Sequence, residues 1–400
     1  MKKLLYILFG FLFICNAYAA QIVNVEYIHN LISQEWDITV PYNPALTNVK
    51  TIANMKYLLT AVDVANEILN GEKTSNYGNT EFATTRIADT IATNQAVETL
   101  VRKIDKGPKF TLTTTPDATS FSFKISAAGE FVVDWGDGTV ETITKPDTTN
   151  TTYSHNYATA GAYTIGIGGQ ATAYNTDTST AAISFYVNYS YTQSKKIASI
   201  DGSLGAIFGT LADGTQPRFY QTFYNAYNMT GSIPANLFAG ISGAPASFMF
   251  AYTFYGCSGL TGAIPDGLFG NLTGAPAEYM FNGTFYGCSG LTGAIPAGLF
   301  AGISGKGAFT MFNQTFYGCS GLTSISENLF GNISDVSNNM FGGMFMGCTS
   351  LTGPSARING QYLYEIWPNL DFSFIHGPYY GCTGLSDYST MPKEWRSYND

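Results

Sequence analysis

The sequence predicts a multidomain chain: a helical N-terminal region, an all-β sandwich, and an α/β solenoid with units of about 31 residues. Three observations predict it. Five cysteines between positions 257 and 382 stand 31, 31, 29 and 34 residues apart. A strand-turn-strand pattern surrounds Trp135-Gly136-Asp137-Gly138-Thr139. Apolar residues recur at alternating 3/4 spacing between positions 49 and 104.

The N-terminus carries an export signal. Met1-Lys2-Lys3 is a basic start, Leu4 to Cys15 an apolar run, and Ala17-Tyr18-Ala19 supplies small residues for cleavage. That run is too short to span a bilayer, which needs about 20 residues. Residues 1–19 are therefore expected to be a signal peptide on an exported chain, destined for the cell surface or secretion, with the periplasm as the other destination. No transmembrane segment is expected. Composition agrees: charged residues are only 12% of the chain, while Tyr and Phe number 27 and 28. Low charge with many aromatics opposes disorder. A net charge of −9 argues against nucleic acid as a partner, which a basic patch would have to hold.

The first structural region is 20–106. Ile52, Met55, Leu59, Val62 and Leu69 form one stripe with Asn66 on it, and Ile91, Asn94, Val97 and Val101, within 87–104, a second, the two asparagines being candidates to set register. Two amphipathic helices are expected, as a pair packed on the rest or as a short coiled coil joining chains into a homo-oligomer. The second region is 107–191. Phe131 to Asp134 alternates as a strand, Gly136-Asp137-Gly138 turns, and Val140 to Ile143 alternates back. Phe110–Thr114, Phe121–Ile125 and Ile183–Val187 read as further strands.

The third region, 197–400, is a repeat with capping ends. Phe250 onward reads FAYTFYGCSGLTGAIP, Phe281 onward FNGTFYGCSGLTGAIP, Phe312 onward FNQTFYGCSGLTSIS and Phe341 onward FGGMFMGCTSLTG. An earlier copy from Phe219 places Ala226 where the others have cysteine, and Tyr380 to Leu385 is a degenerate last copy. Pro276 resembles a residue of a helical first turn, and Phe281, Phe285 and Cys288 then fall on one helical face. Leu291 to Ile295 is a short strand stopped by Pro296. Helix, turn and strand make one coil, and no coil can bury its apolar face without neighbours. Leu260, Leu291, Leu322 and Leu351, each three residues after a cysteine, are expected in one buried row.

These motifs carry two resemblances. The units F-x-x-T-F-Y-G-C-S-G-L-T resemble the leucine-rich repeats of BspA-like bacterial surface proteins, over Phe219 to Leu385. The pattern W-G-D-G-T followed by His155-x-Tyr157 and Gly161-x-Tyr163 resembles the PKD domain. The first resemblance implies a leucine-rich-repeat-like α/β solenoid and a non-catalytic surface protein that mediates adhesion or partner binding. The second implies an immunoglobulin-like sandwich acting as a spacer or binding module. A structural component of a surface assembly is the alternative function, and an accessory module of a secreted hydrolase a third.

Chemistry is sparse. His29, His155 and His376 sit in three different regions, so a triad or histidine metal site would need long-range convergence. Asp134 and Asp137, beside the glycine turn, are the candidate Ca²⁺ ligands, although Asp at such turns also serves its own backbone. No other cofactor is expected. Cys257, Cys288, Cys319, Cys348 and Cys382 form a structural ladder of buried thiols, because parallel side chains on adjacent units offer poor disulfide geometry. Tyr255, Tyr286 and Tyr317, each one residue before a Gly-Cys turn, are the candidate contacts to a neutral glycan or protein ligand, with packing between units as the competing role.

Overall fold

A computed structural model of the chain describes residues 108–398, apart from 270, 371 and 373–375. The described residues belong to one compact unit. The helix pair expected within 20–106, and the chain-joining contact assigned to it, lie outside the described residues.

Eight strands open the described chain: β1 Phe110–Thr114, β2 Ala118–Ile125, β3 Ala127–Asp134, β4 Val140–Lys145, β5 Thr151–Gly161, β6 Thr164–Tyr174, β7 Ile183–Ser184 and β8 Ile197–Gly202. Alternation sets their faces: Phe110 and Leu112 of β1, and Phe121, Phe123 and Ile125 of β2, are all buried. They form a five-stranded sheet in the order β4-β3-β6-β1-β8 and a three-stranded sheet β5-β2-β7. Every pairing in both is antiparallel. Trp135, just after β3, lies 5.6 Å from Phe123 of β2 and ties the two sheets together.

β8 pairs with β1 and leads straight into the repeats. The apolar core continues across that point, where Phe110 lies 6.2 Å from Phe223. The amides of Ala182 and Phe185 donate to Arg218 and Thr222 (2.8 and 2.9 Å), so the β7 segment covers the first repeat. At the far end the amides of Gly377 and Tyr379 donate to Ser397 and Trp395 (3.0 and 2.9 Å). Both outermost backbone edges are thus paired by non-repeat chain, which removes an invitation to edge-to-edge association.

The leucine-rich-repeat-like α/β solenoid is not what the repeats form. Among the described residues α-helix is confined to α1, Leu363–Ile366, and α2, Lys393–Arg396. Most strand residues sit in the two antiparallel sheets. Among the described residues parallel pairing is limited to β9 (Gly293–Ile295) with β11 (Leu322–Ile325), β10 (Gly305–Lys306) with β12 (Ile333–Asp335), and isolated bridges. A last hairpin joins β13 (Arg357–Ile358) to β14 (Gln361–Tyr362).

The segment expected to be helical is a run of turns. Asn282 and Thr284 donate their amides back to Tyr279 and Phe281 (3.1 and 3.2 Å). Between them Phe281, Gly283 and Phe285 donate forward to Met311, Asn313 and Thr315 of the next unit (3.0, 2.8 and 2.8 Å). An α-helix would spend every amide within itself. Every fourth residue is left-handed: φ is +56° at Tyr279, +56° at Gly283 and +69° at Gly287. A four-residue turn period places Phe281 and Phe285 on one side just as a 3.6-residue helix would, and this is why the spacing misled.

Phenylalanine burial offsets that strain. Phe219, Phe250, Phe281, Phe312 and Phe341 stack at 5.8, 5.8, 5.7 and 5.9 Å. Phe223, Phe254, Phe285, Phe316 and Phe345 form a second row at 5.5 to 5.6 Å. Each non-glycine residue held left-handed costs about 1–2 kcal/mol, whereas burying a phenylalanine contributes about 1.5–3 kcal/mol. Two buried phenylalanines per turn segment therefore offset the one or two non-glycine residues held left-handed there. Leu260, Leu291, Leu322 and Leu351 are fully buried, and the first three pair with Gly231, Gly262 and Gly293 of the preceding unit.

Candidate binding face

The turns present one row of side chains outward. Tyr255, Tyr286 and Tyr317 are half-buried and stack ring on ring, at 4.3 Å and 12° for the first pair and 4.3 Å and 3° for the second. Tyr224 extends the row at 4.6 Å, and Tyr186, from the segment after β7, extends it again at 4.8 Å. The row exists because one register of forward hydrogen bonds places the same position of successive units directly above one another. Burial and the neighbouring tyrosines push the Tyr224 hydroxyl up to about 12, and the Tyr286 hydroxyl is raised by the same causes, so both stay protonated donors at neutral pH.

Further aromatics flank the row. Tyr252 meets Tyr255 at 5.9 Å and Tyr220 at 6.0 Å, both edge-on. Phe248 stacks on Tyr279 at 4.5 Å, and Tyr279 meets the exposed Phe309 at 5.4 Å. Gly283 is required here: a Cβ at that position would lie 2.7 Å from the Tyr252 ring. Tyr189 is 92% exposed with φ +55°, a costly conformation for an aromatic residue with nothing to bury it. Between Arg218 and Met340 the only charged residues are Arg218, Asp266, Glu278, Lys306, Glu327 and Asp335. Arg218 is engaged with the carbonyls of Ser247 and Asn175, and Lys306 with Asp335.

Behind the tyrosines run polar ladders. Thr253, Thr284 and Thr315 each donate to two carbonyls, those of Phe219 and Phe250, Phe250 and Phe281, and Phe281 and Phe312. The five cysteines are free and buried. Each thiol points at a carbonyl of the preceding unit: Cys257 at Phe223 and Cys288 at Phe254 (both 3.1 Å), then Cys319 at Phe285, Cys348 at Phe316 and Cys382 at Phe345 (each 2.9 Å). Burial pushes all five thiols up, Cys382 to about 12, so they are poor nucleophiles at neutral pH.

The structure gives Asp134 and Asp137 protein partners. Asp134 Oδ1 accepts the Gly136 amide at 2.9 Å, closing the turn on itself. Asp137 accepts the Thr139 amide at 3.0 Å and holds His155 Nε2 at 2.7 Å. The His155 hydrogen bond, then that of Thr139, lowers the Asp137 carboxyl to about 2. His155 stacks on Trp135 at 5.1 Å, and Tyr157 donates its hydroxyl to the Trp135 carbonyl at 3.0 Å. The W-G-D-G-T and H-x-Y motifs thus meet as one interlocked corner of the sheets. Among the described residues no group of three or more His, Cys, Asp or Glu is placed to hold a metal ion.

Sequence reasoning singled out three members of the tyrosine row and missed Tyr186 and Tyr224, together with the flanking Tyr252 and Tyr279. Tyr224 was legible, since it stands where Tyr255 does in the preceding unit. Tyr186 was not, because it lies outside the repeat. Comparison with protein families, curated proteins and solved structures returns no match.

Proposed function

We propose that the chain is an exported, non-catalytic binding protein that adheres to a partner through the tyrosine face of its repeats. The observation that carries this reading is the continuous, nearly uncharged aromatic row from Tyr186 to Tyr317. Tyr189 adds an open ring, 92% exposed, at the tip of the tight turn that Ser190 closes on Val187, where both central residues are left-handed. Tyrosine suits recognition because it offers rigid area and a hydroxyl at little entropic cost.

Related features support the same reading. The signal-like N-terminus points to export, to the cell surface or medium, and no helix among the described residues is long and apolar enough to cross a membrane. The resemblance of the repeats to BspA-like surface proteins, and of the W-G-D-G-T corner to PKD domains, suits an adhesive chain whose sheets act as a spacer. Paired outer edges count against end-to-end assembly as the main role.

The test is an array of glycans and extracellular matrix proteins probed with the purified chain. Binding to at least one class, weakened when Tyr255, Tyr286 and Tyr317 are together changed to Ala, is the expected result. Retention of nothing across both classes would overturn the reading.

A further inference from the structure

We infer that the tyrosine face takes an uncharged polysaccharide chain laid along the stack of turns, rather than a protein. This rests on the binding role proposed above and narrows it to one ligand chemistry. The face is linear, with four ring-to-ring steps of 4.8, 4.6, 4.3 and 4.3 Å from Tyr186 to Tyr317. Because the rings lie against one another, their faces are already used. What they leave for a ligand is ring edges and a regular line of hydroxyls, hydrogen-bonded in part to one another and each able both to donate and to accept.

A protein partner would want something else. Protein interfaces concentrate their energy in aromatic or arginine anchors sunk into desolvated pockets. A cavity of about 50 Å³ lies among Phe238, Phe250 and Phe269, and none of the row's tyrosines lines it. An extended, hydroxyl-rich and neutral chain is the complement of a line of hydroxyls with little charge. Open ring faces for stacking on sugar remain at the margins, at Tyr189 (92% exposed) and Phe309 (37%).

A polar strip adds a second element. Asn282 stands, two units on, at the repeat position of Tyr220, whose ring meets Phe248 and Tyr252 of the aromatic face. Asn282 is 3% exposed and donates from Nδ2 to Asn313 Oδ1 at 3.4 Å, while its own Oδ1 has no partner in the chain. A buried amide oxygen left unpaired costs stability. The same position is buried at Ala251, Asn282 and Asn313, so this spare acceptor lies under the surface, and a ligand hydroxyl would satisfy it only where the covering side chains part.

The experiment uses the full chain and neutral polysaccharides of defined linkage: a β-glucan, a galactomannan and an α-glucan, with polygalacturonate as the charged comparison. Affinity is read by calorimetry at about 50 and about 500 mM salt, where screening separates charge-driven from neutral binding. The triple variant Tyr255→Phe, Tyr286→Phe, Tyr317→Phe keeps the ring stack and deletes the hydroxyls, and its melting curve verifies the fold. The expected result is binding to at least one neutral polymer, less than a twofold change with salt, and about a tenfold loss or more in the triple variant. Matrix proteins retained while every neutral polymer fails would overturn the polysaccharide assignment and leave the binding role standing. Unchanged polymer affinity in a folded triple variant would overturn the assignment to this face. Should the triple variant not fold, Tyr189→Ala, at an exposed position, decides: a loss of about threefold supports the face, and no change refutes it.

Discussion

Replacing Phe285 by Ala probes how the turns are held together. Phe285 is fully buried between Phe254 and Phe316, each 5.6 Å away and inclined by 4°. Truncating a buried phenylalanine costs about 3–5 kcal/mol, because transfer free energy is lost and the cavity collapses only partly. Here collapse is hindered. The Phe285 amide donates to Thr315 at 2.8 Å and its carbonyl receives the Cys319 thiol at 2.9 Å, so the backbone cannot sink into the gap. The upper half of the range, about 4–5 kcal/mol, is therefore expected. That is a large share of the roughly 5–15 kcal/mol that holds a typical domain folded. Urea unfolding followed by tryptophan fluorescence gives the midpoint and slope, and Phe285→Leu should lose less than half as much. A loss below about 1 kcal/mol for Phe285→Ala, with an unchanged slope, would refute the claim that stacked phenylalanines carry the repeats.

Three other outcomes follow from the same geometry. Gly283→Ala meets both a φ of +56° and the Tyr252 ring at 2.7 Å, whereas Gly267→Ala meets only a φ of +70°, so the first should lower the melting temperature more than the second; equal shifts would contradict the ring contact. The buried thiols are raised above their ordinary value of 9.0, so their contribution is complete below pH 9 and lost as pH rises beyond it, and urea midpoints should fall on the alkaline side. Cys288→Ala should flatten that fall, and a fall of the same steepness would show the thiols are not its source. Asp137 is lowered from 3.8 to about 2, so its contribution is present above pH 3.8 and lost as pH falls toward 2. Asp137→Asn should remove part of the acid sensitivity in that window, and an unaltered acid midpoint would discount the His155 contact.

How far the sequence could be read depended on which physical signal each element leaves. Strands β1 to β4 were legible because alternation of Phe110, Leu112, Phe121 and Phe123 reports burial on one face directly. β8 was missed as a sheet member, since Ile197 to Gly202 is too weakly alternating to separate from the repeat that follows. The repeat period was plain, but its local conformation was not. A turn every four residues and a helical turn every 3.6 leave nearly the same apolar spacing over two turns, as at Phe281 and Phe285. The glycine pairs Gly283/Gly287 and Gly343/Gly347 were the legible signal, because positive φ recurring four residues apart is incompatible with a helix. At the face, Tyr255, Tyr286 and Tyr317 were visible as repeats of one motif position. Their packing between units stood only as the competing role, and its ring-on-ring geometry was not legible, because it depends on forward hydrogen bonds that no single unit encodes.

The most direct test of the binding face is hydrogen–deuterium exchange on the full chain with and without a saturating neutral polysaccharide. The turn segments at 248–256, 279–287 and 310–318 should gain protection together on binding, and the amides around the Asp137–His155 corner should not change. Protection that falls on that corner, with the three turn segments unaltered, would contradict the assignment of binding to the tyrosine row.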